Sequence, residues 1–210
     1  MPVFNFDKTN FTEDPGGKVA FFAKGTKYAE MVCNSSKSSV SVLFCGSAAG
    51  AVLPPFVVYQ AVNCWSKWCE NGPPGARYSA TPSGWFNFFT VLEWLEKIFI
   101  PARQKLDGKV VLVCDNLSSH LNVDFIKVCQ DNNVELVCLP PNVTDKMQPL
   151  DVAVFGPMKR RWREMLHKMR IQEPTLKALD KVPFPSHLKR VMEQSNIPEN
   201  LAAGFEKCGL

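Results

Sequence analysis

Residues 109–139, KVVLVCDNLSSHLNVDFIKVCQDNNVELVCL, decide the fold. The run KVVLVCD (109–115) is continuously apolar and valine-rich until it ends on Asp115, the pattern of a strand covered on both faces. VELVCL (134–139) is a second such run. Between them Leu121, Phe125, Val128 and Cys129 fall at i, i+4, i+7 and i+8, one apolar face of a helix, and Ser118 or Ser119 stands where its start needs a cap. Strand, helix and strand in this length predict a right-handed parallel crossover. Open α/β sheets build their sites beyond the carboxyl ends of such strands, which is where Asp115 stands.

The reading extends outward in both directions. Downstream, LPPNVTDKMQP (139–149) is held extended by Pro140 and Pro141 and closes with Pro149, which suits a first helical turn. Asp151 then lies in or near the opening turn of a helix. Gly156 and Pro157 are expected to kink or restart it, because Pro157 has no amide to donate. Beyond them Trp162, Met165 and Met169 form a packed stripe.

Upstream, VFNFD (3–7) is a strand with Asn5 and Asp7 on one face. Residues 39–45 (SVSVLFC) and 51–59 (AVLPPFVVY) read as a hairpin through the turn from Gly46 to Gly50, and Pro54 and Pro55 mark its second strand as an edge or a bulge. Residues 70–84 are turn formers, read as a loop, and residues 85–99 are helical in period. Three strands, helix, strand, helix, strand, helix is the ribonuclease H order: an α/β fold with a mixed sheet flanked by helices, its first and fourth strands side by side.

In that order Asp7, Asp115 and Asp151 gather at one end of the sheet. A single aspartate after a strand is commonly a turn residue or a cap; three at these positions point to a shared cation. Adjacent strands lie roughly 4.8 Å apart, within reach of one ion. Three ionised carboxylates stay charged together only beside a cation, and oxygen ligands alone select magnesium or manganese over zinc. Two such ions roughly 3.5–4 Å apart suit phosphodiester chemistry.

Composition fits one substantial domain: 210 residues, 46% hydrophobic. The eight cysteines form no CxxC pair, and several lie in apolar runs, a usage that favours a reducing compartment. Neither a leader nor an apolar run of membrane-spanning length is evident, so no membrane association is expected and the cytosol or nucleus is. The net charge is +4, but residues 159–170 alone hold six cations against Glu164. Lys159, Arg160, Arg161 and Arg163 therefore read either as a solvated helix face or as a track for DNA phosphates.

The segments VLVCDNLSSH (111–120) and CLPPNVTDKMQPLDVAVFGPMKRRWR (138–163) resemble the catalytic domain of DDE-superfamily transposases of the mariner/pogo kind, including the jerky and Tigger-like proteins. FNFDKTN (4–10), residues 34–59, GPPGARY (72–78), SGWF (83–86) and NLAAGFEKCGL (200–210) extend the resemblance over nearly the whole chain. It implies a catalytic domain over residues 1–170 with a helical extension over 171–210. It also implies DNA cutting and joining with two Mg2+ or Mn2+ ions held by Asp7, Asp115 and Asp151, the last 36 positions after the second.

Asn116 and Gln148 read equally as orienting groups and as loop hydrogen bonders, and His120 as a site neighbour or a first-turn surface histidine. DNA is the expected partner, a homodimer a further expectation and the nucleus the expected location. The alternative is a domesticated, catalytically silent nucleic-acid-binding protein. Three features favour it: Lys8 where relatives usually carry Glu, Thr144-Asp145 where they commonly read TH, and the expected lack of a targeting module. Met1 stands six residues before Asp7, so the helix-turn-helix modules of full-length relatives are expected to be missing, whether from a fragment or from a standalone remnant.

Overall fold

The computed structural model describes residues 1–13, 39–115, 122–141, 143–172 and 179–210. Its centre is a six-stranded sheet of β1 (Val3–Thr12), β2 (Ser39–Ser47), β3 (Phe56–Gln60), β4 (Arg77–Thr81), β5 (Val110–Cys114) and β6 (Val134–Cys138), in the order β4-β3-β2-β1-β5-β6. The pairs β1/β2 and β2/β3 are antiparallel, while β1/β5, β5/β6 and β3/β4 are parallel. This is the mixed sheet of a ribonuclease H-like fold, with its first strand beside the strand that ends at Asp115.

The crossover forms as its sequence pattern dictates. All five residues of β5 are buried, and α3 (Val123–Asp131) turns Phe125 and Cys129 into the core. The helix cap is Asn122, whose side chain accepts from the Phe125 amide at 2.9 Å. Ser118, Ser119 and Leu121 lie outside the described residues. At its far end Asn133 takes a left-handed conformation, φ 57°, and ends the helix one residue before β6. β6 is the outer strand, and Cys138 is exposed rather than covered on both faces.

Strand alternation gives the sheet two different faces. Phe4 and Phe6 of β1 point to a layer with Val91 and Trp94 of α1 (Phe88–Trp94), the π-turn Leu95–Phe99, α2 (Ile100–Arg103) and α3. The Phe6 ring packs tilted against Trp94 at 4.6 Å and lies 6.2 Å from Phe125; each fully buried ring of this kind contributes roughly 2–3 kcal/mol. Phe11 points to the opposite layer, with a π-helix at Leu150–Phe155, α5 (Gly156–Gln172), α6 (Phe184–Glu193) and α7 (Ile197–Cys208). The expected stripe is there: Trp162 and Met165 are buried, Met169 partly so. The Trp162 indole N–H donates to the Thr12 carbonyl at 2.8 Å, tying α5 to the end of β1.

Three expectations change. Residues 77–81, read as part of a loop, form β4, because Arg77 through Thr81 pair in parallel with Phe56 through Gln60. That pairing makes β3 an internal strand. Pro54 and Pro55 precede the strand, and the Pro55 carbonyl accepts from the Arg77 amide at 3.1 Å, so neither proline interrupts a ladder. Third, the helix expected over 85–99 starts at Phe88 behind a reciprocal cap between Asn87 and Thr90 and runs through the π-turn to Arg103. Gly156 and Pro157 mark a change of helical register, from the π-helix to α5. Proline fits there because it has no amide proton for which the altered ladder must find an acceptor.

Candidate active site

β1 and β5 are in register at Asn5 and Val113. Carried on two residues, that register sets Asp7 opposite Asp115, which follows the last residue of β5. Asp151 arrives as the second residue of the π-helix, behind Pro149, which has helical dihedrals. Single-turn π-helices recur at functional sites because the wider turn re-aims side chains. Thus two strands and one helix supply the three carboxylates.

The electrostatics record how closely they meet. Asp7 is 8% exposed, and its carboxyl is pushed up to about 8, first by burial and then by the charge of Asp151, with a smaller push from Asp115. The Lys8 backbone amide and the Gln148 side chain act in the opposite direction by hydrogen bonding to it. Asp151 is raised too, by partial desolvation and by Asp115, while its hydrogen bond with Asp7 and the Lys159 charge pull it down. Burial and the neighbouring carboxylates therefore favour the protonated form of Asp7. Among the described residues no group of three or more histidine, cysteine, aspartate or glutamate side chains is placed so that it could hold a metal ion.

A buried polar rack surrounds the pair. The Asn5 side chain donates to the Val113 carbonyl at 3.1 Å and accepts from the Leu150 amide at 3.2 Å. Gln148, fully buried, reaches the Phe6 carbonyl over a long 3.5 Å. Two oxygens on this face, Thr9 Oγ1 and Gln148 Oε1, are buried without a hydrogen-bond partner. Orphaned oxygens beside repelling carboxylates fit a hard cation and its bound water, so the donor set here suits magnesium or manganese.

Two lysines, Lys8 and Lys159, act on the aspartates electrostatically. Lys8 lies on the other face of β1, 5.9 Å from the Phe86 ring centroid. Its half-buried ammonium is lowered by desolvation and held up by the charges of Asp115 and Asp7. On α5, Lys159 sits 6.0 Å from the Phe155 ring centroid and acts on Asp151. Arg160, Arg161 and Arg163 are exposed, and Arg161 pairs with Glu164 at 3.0 Å.

Of the residues singled out by sequence, Asp115, Asp151 and Gln148 act on Asp7, and Lys159 acts on Asp151. Asn116 and His120 lie outside the described residues, and Thr144 and Asp145 open the short helix α4 (Thr144–Met147). Sequence alone assigns no role to Asn5 or Thr9. The available signal is an uncharged polar residue at the centre of VFNFD: on an internal strand a buried asparagine needs partners for both ends of its amide.

Comparison with known proteins gives this geometry a lineage. Residues 37–196 match the family model described as DDE superfamily endonuclease. Among solved structures the chain is similar to the Mos1 mariner paired end complex with Mn, at 12% identity and TM-score 0.56, covering 98% of this chain and 54% of that one. It is also similar to the Mos1 strand transfer complex, at 14% identity and TM-score 0.55, covering 96% and 54%. At such identities the likeness is one of fold. A curated relative, the MFS-type transporter clz9 of Cochliobolus lunatus, is 27% identical over 170 residues, 78% of this chain and 18% of that protein. The chain thus spans about half the length of the transposase chains and under a fifth of the curated relative. Among the described residues no helix is long and apolar enough to cross a membrane. With the family model covering most of the chain, and with a ribonuclease H-like sheet bringing Asp7, Asp115 and Asp151 to one end, the protein belongs to the DDE superfamily endonucleases.

Proposed function

We propose that this domain binds DNA and cuts and joins its strands with the help of two magnesium or manganese ions, held by Asp7, Asp115 and Asp151. The observation that carries the reading is the strand register that sets Asp7 opposite Asp115, with Asp151 in the opening turn of the π-helix within their electrostatic reach. A proton on Asp7 neutralises a charge that a divalent cation would neutralise better. Such ions, when bound, activate water and stabilise the leaving oxygen of a phosphodiester. The chain's own groups supply the rest. Asn5 and Gln148 hold the carboxylates' supports in place, and the exposed arginines of α5 with Lys159 attract the phosphate backbone towards Asp151. The Mos1 structures that resemble this fold are paired-end and strand transfer complexes; by analogy, two copies of this chain would hold two DNA ends, in the nucleus.

A second reading, a binding protein without catalysis, draws support from Lys8. Its ammonium, with the proton on Asp7, already offsets part of the negative charge without any metal. Nicking of supercoiled plasmid in manganese separates the two. The catalytic reading predicts nicking by the native chain and a loss of at least about 100-fold in Asp151→Ala. Equal nicking by both proteins, or none by either, contradicts it.

A further inference from the structure

Asn5 is fully buried in the middle of β1, and its side chain joins all three elements that carry the aspartates. Its own strand bears Asp7 two residues on. Its amide nitrogen donates to Val113, two residues before Asp115. Its oxygen accepts from the amide of Leu150, the residue before Asp151. Each bond ends within two residues of a carboxylate.

We propose that Asn5 is the positioning residue of the carboxylate site, locking β1, β5 and the start of the π-helix into the one arrangement in which Asp7, Asp115 and Asp151 face a common point. The inference rests on the cation-binding reading above.

The chemistry selects asparagine. The Leu150 amide is one of the orphan donors at a helix start, and neither its own turn nor solvent serves it at this depth. The Val113 carbonyl is an acceptor with a free lone pair. A single side chain meeting both must donate and accept at once, which an amide does in one orientation only. Aspartate would accept from Leu150 but face the Val113 carbonyl with a lone pair, and would add a fourth carboxyl group. Valine would keep the strand's packing and leave both backbone groups unpaired. On the far side of the same turn, α7 clamps the backbone: a Cβ on Gly204 would stand 2.7 Å from the Pro149 carbonyl oxygen and 3.2 Å from the Ala153 side chain. The opening of the π-helix is therefore held from two sides, by Asn5 and by the bare backbone of Gly204.

The test compares the native chain with Asn5→Val by amide hydrogen exchange, manganese titration and plasmid nicking. In metal-free Asn5→Val the Leu150 amide should exchange at least about tenfold faster while the β1–β2 amides keep their protection. Manganese affinity should weaken by about 10-fold or more, and kcat for nicking should fall by up to about 100-fold with KM for plasmid within about twofold. Loss of packing alone would slow nothing selectively and would loosen the strand amides together with Leu150. If the valine chain does not fold, Asn5→Ser, whose short hydroxyl reaches only one partner, is read in the same way. Unchanged Leu150 exchange with unchanged manganese affinity overturns the inference. A native chain that takes up no manganese overturns the cation reading instead, and Leu150 exchange still decides whether Asn5 holds the π-helix.

Discussion

The two faces of β1 are built on opposite principles. One presents Phe4 and Phe6 to an aromatic layer with Trp94, Phe99 and Phe125; the other presents Asn5, Asp7 and Thr9, all buried, to the π-helix and its neighbours. The first face stabilises the fold by removing apolar surface from water. The second costs stability, since it buries an acid, an orphaned hydroxyl and an amide that must be matched atom for atom. A strand can carry both because side chains alternate, so the rigid apolar face fixes the position of the polar one. The site is held by a core that it does not itself help to stabilise.

That contrast can be broken in order of effect. Phe6→Ala should cost about 3–5 kcal/mol in denaturant unfolding and leave the pH dependence of stability as it is, because no titrating group is removed. A pH profile that changes shape in this variant would mean that the two faces are not independent.

Asp7→Asn should do the reverse and stabilise the metal-free protein at pH 7. The sign follows from linkage. Asp7 is raised to about 8 in the folded chain from an ordinary carboxyl near 3.8, so between those values the native state holds a proton that the unfolded state has released. Native stability is therefore greatest at the acid end and falls as pH rises from about 4 to about 8. Asn at this position removes the titration, flattening that decline and raising stability at neutral pH by an amount on the order of a few kcal/mol. Thermal unfolding across pH 5–8 measures it; a decline as steep in Asp7→Asn as in the native chain would place the titrating group elsewhere.

The smallest expected effect lies on α5, where the charges are solvated. Arg160→Ala combined with Arg161→Ala should change folding stability little, since the Arg161–Glu164 pair is exposed and worth at most about 1 kcal/mol. In DNA binding the same double substitution should reduce the slope of log affinity against log salt by up to about 2, near 0.9 for each phosphate no longer neutralised. An unchanged slope would return this helix face to a role in solubility alone.

What is legible in the sequence follows the same division. The crossover from β5 through α3 to β6 is readable because β5 has the pattern of a buried strand and α3 that of an amphipathic helix, although β6, read as equally covered, is an edge strand with only Val134 buried. The placement of Asp7 and Asp115 on neighbouring strands follows once the strand order is fixed. β4 is not readable: RYSAT sits among prolines and glycines, and it is a strand because β3 offers it an unpaired edge, a tertiary fact. The prolines before Phe56 mislead for the same reason, since their meaning depends on where the strand begins. Serines at 118 and 119 stand as plausible caps in the sequence, yet α3 starts later and its cap is Asn122. In the site the charged residues announce themselves, whereas Asn5 does not. An asparagine in a strand has no spacing rule, and only the convergence of Val113 and Leu150 on its amide shows what it does.

The central claim is that Asp7, Asp115 and Asp151 hold a divalent cation, whose arrival displaces the proton that burial favours on Asp7. Titration calorimetry of manganese into the native chain at pH 7, repeated in buffers of different ionisation enthalpy, counts the protons released. The account predicts binding with about one proton released, an affinity that rises roughly tenfold per pH unit below pH 8, and loss of both in Asp7→Asn. Manganese binding that releases no proton, or that survives unchanged in Asp7→Asn, would contradict it.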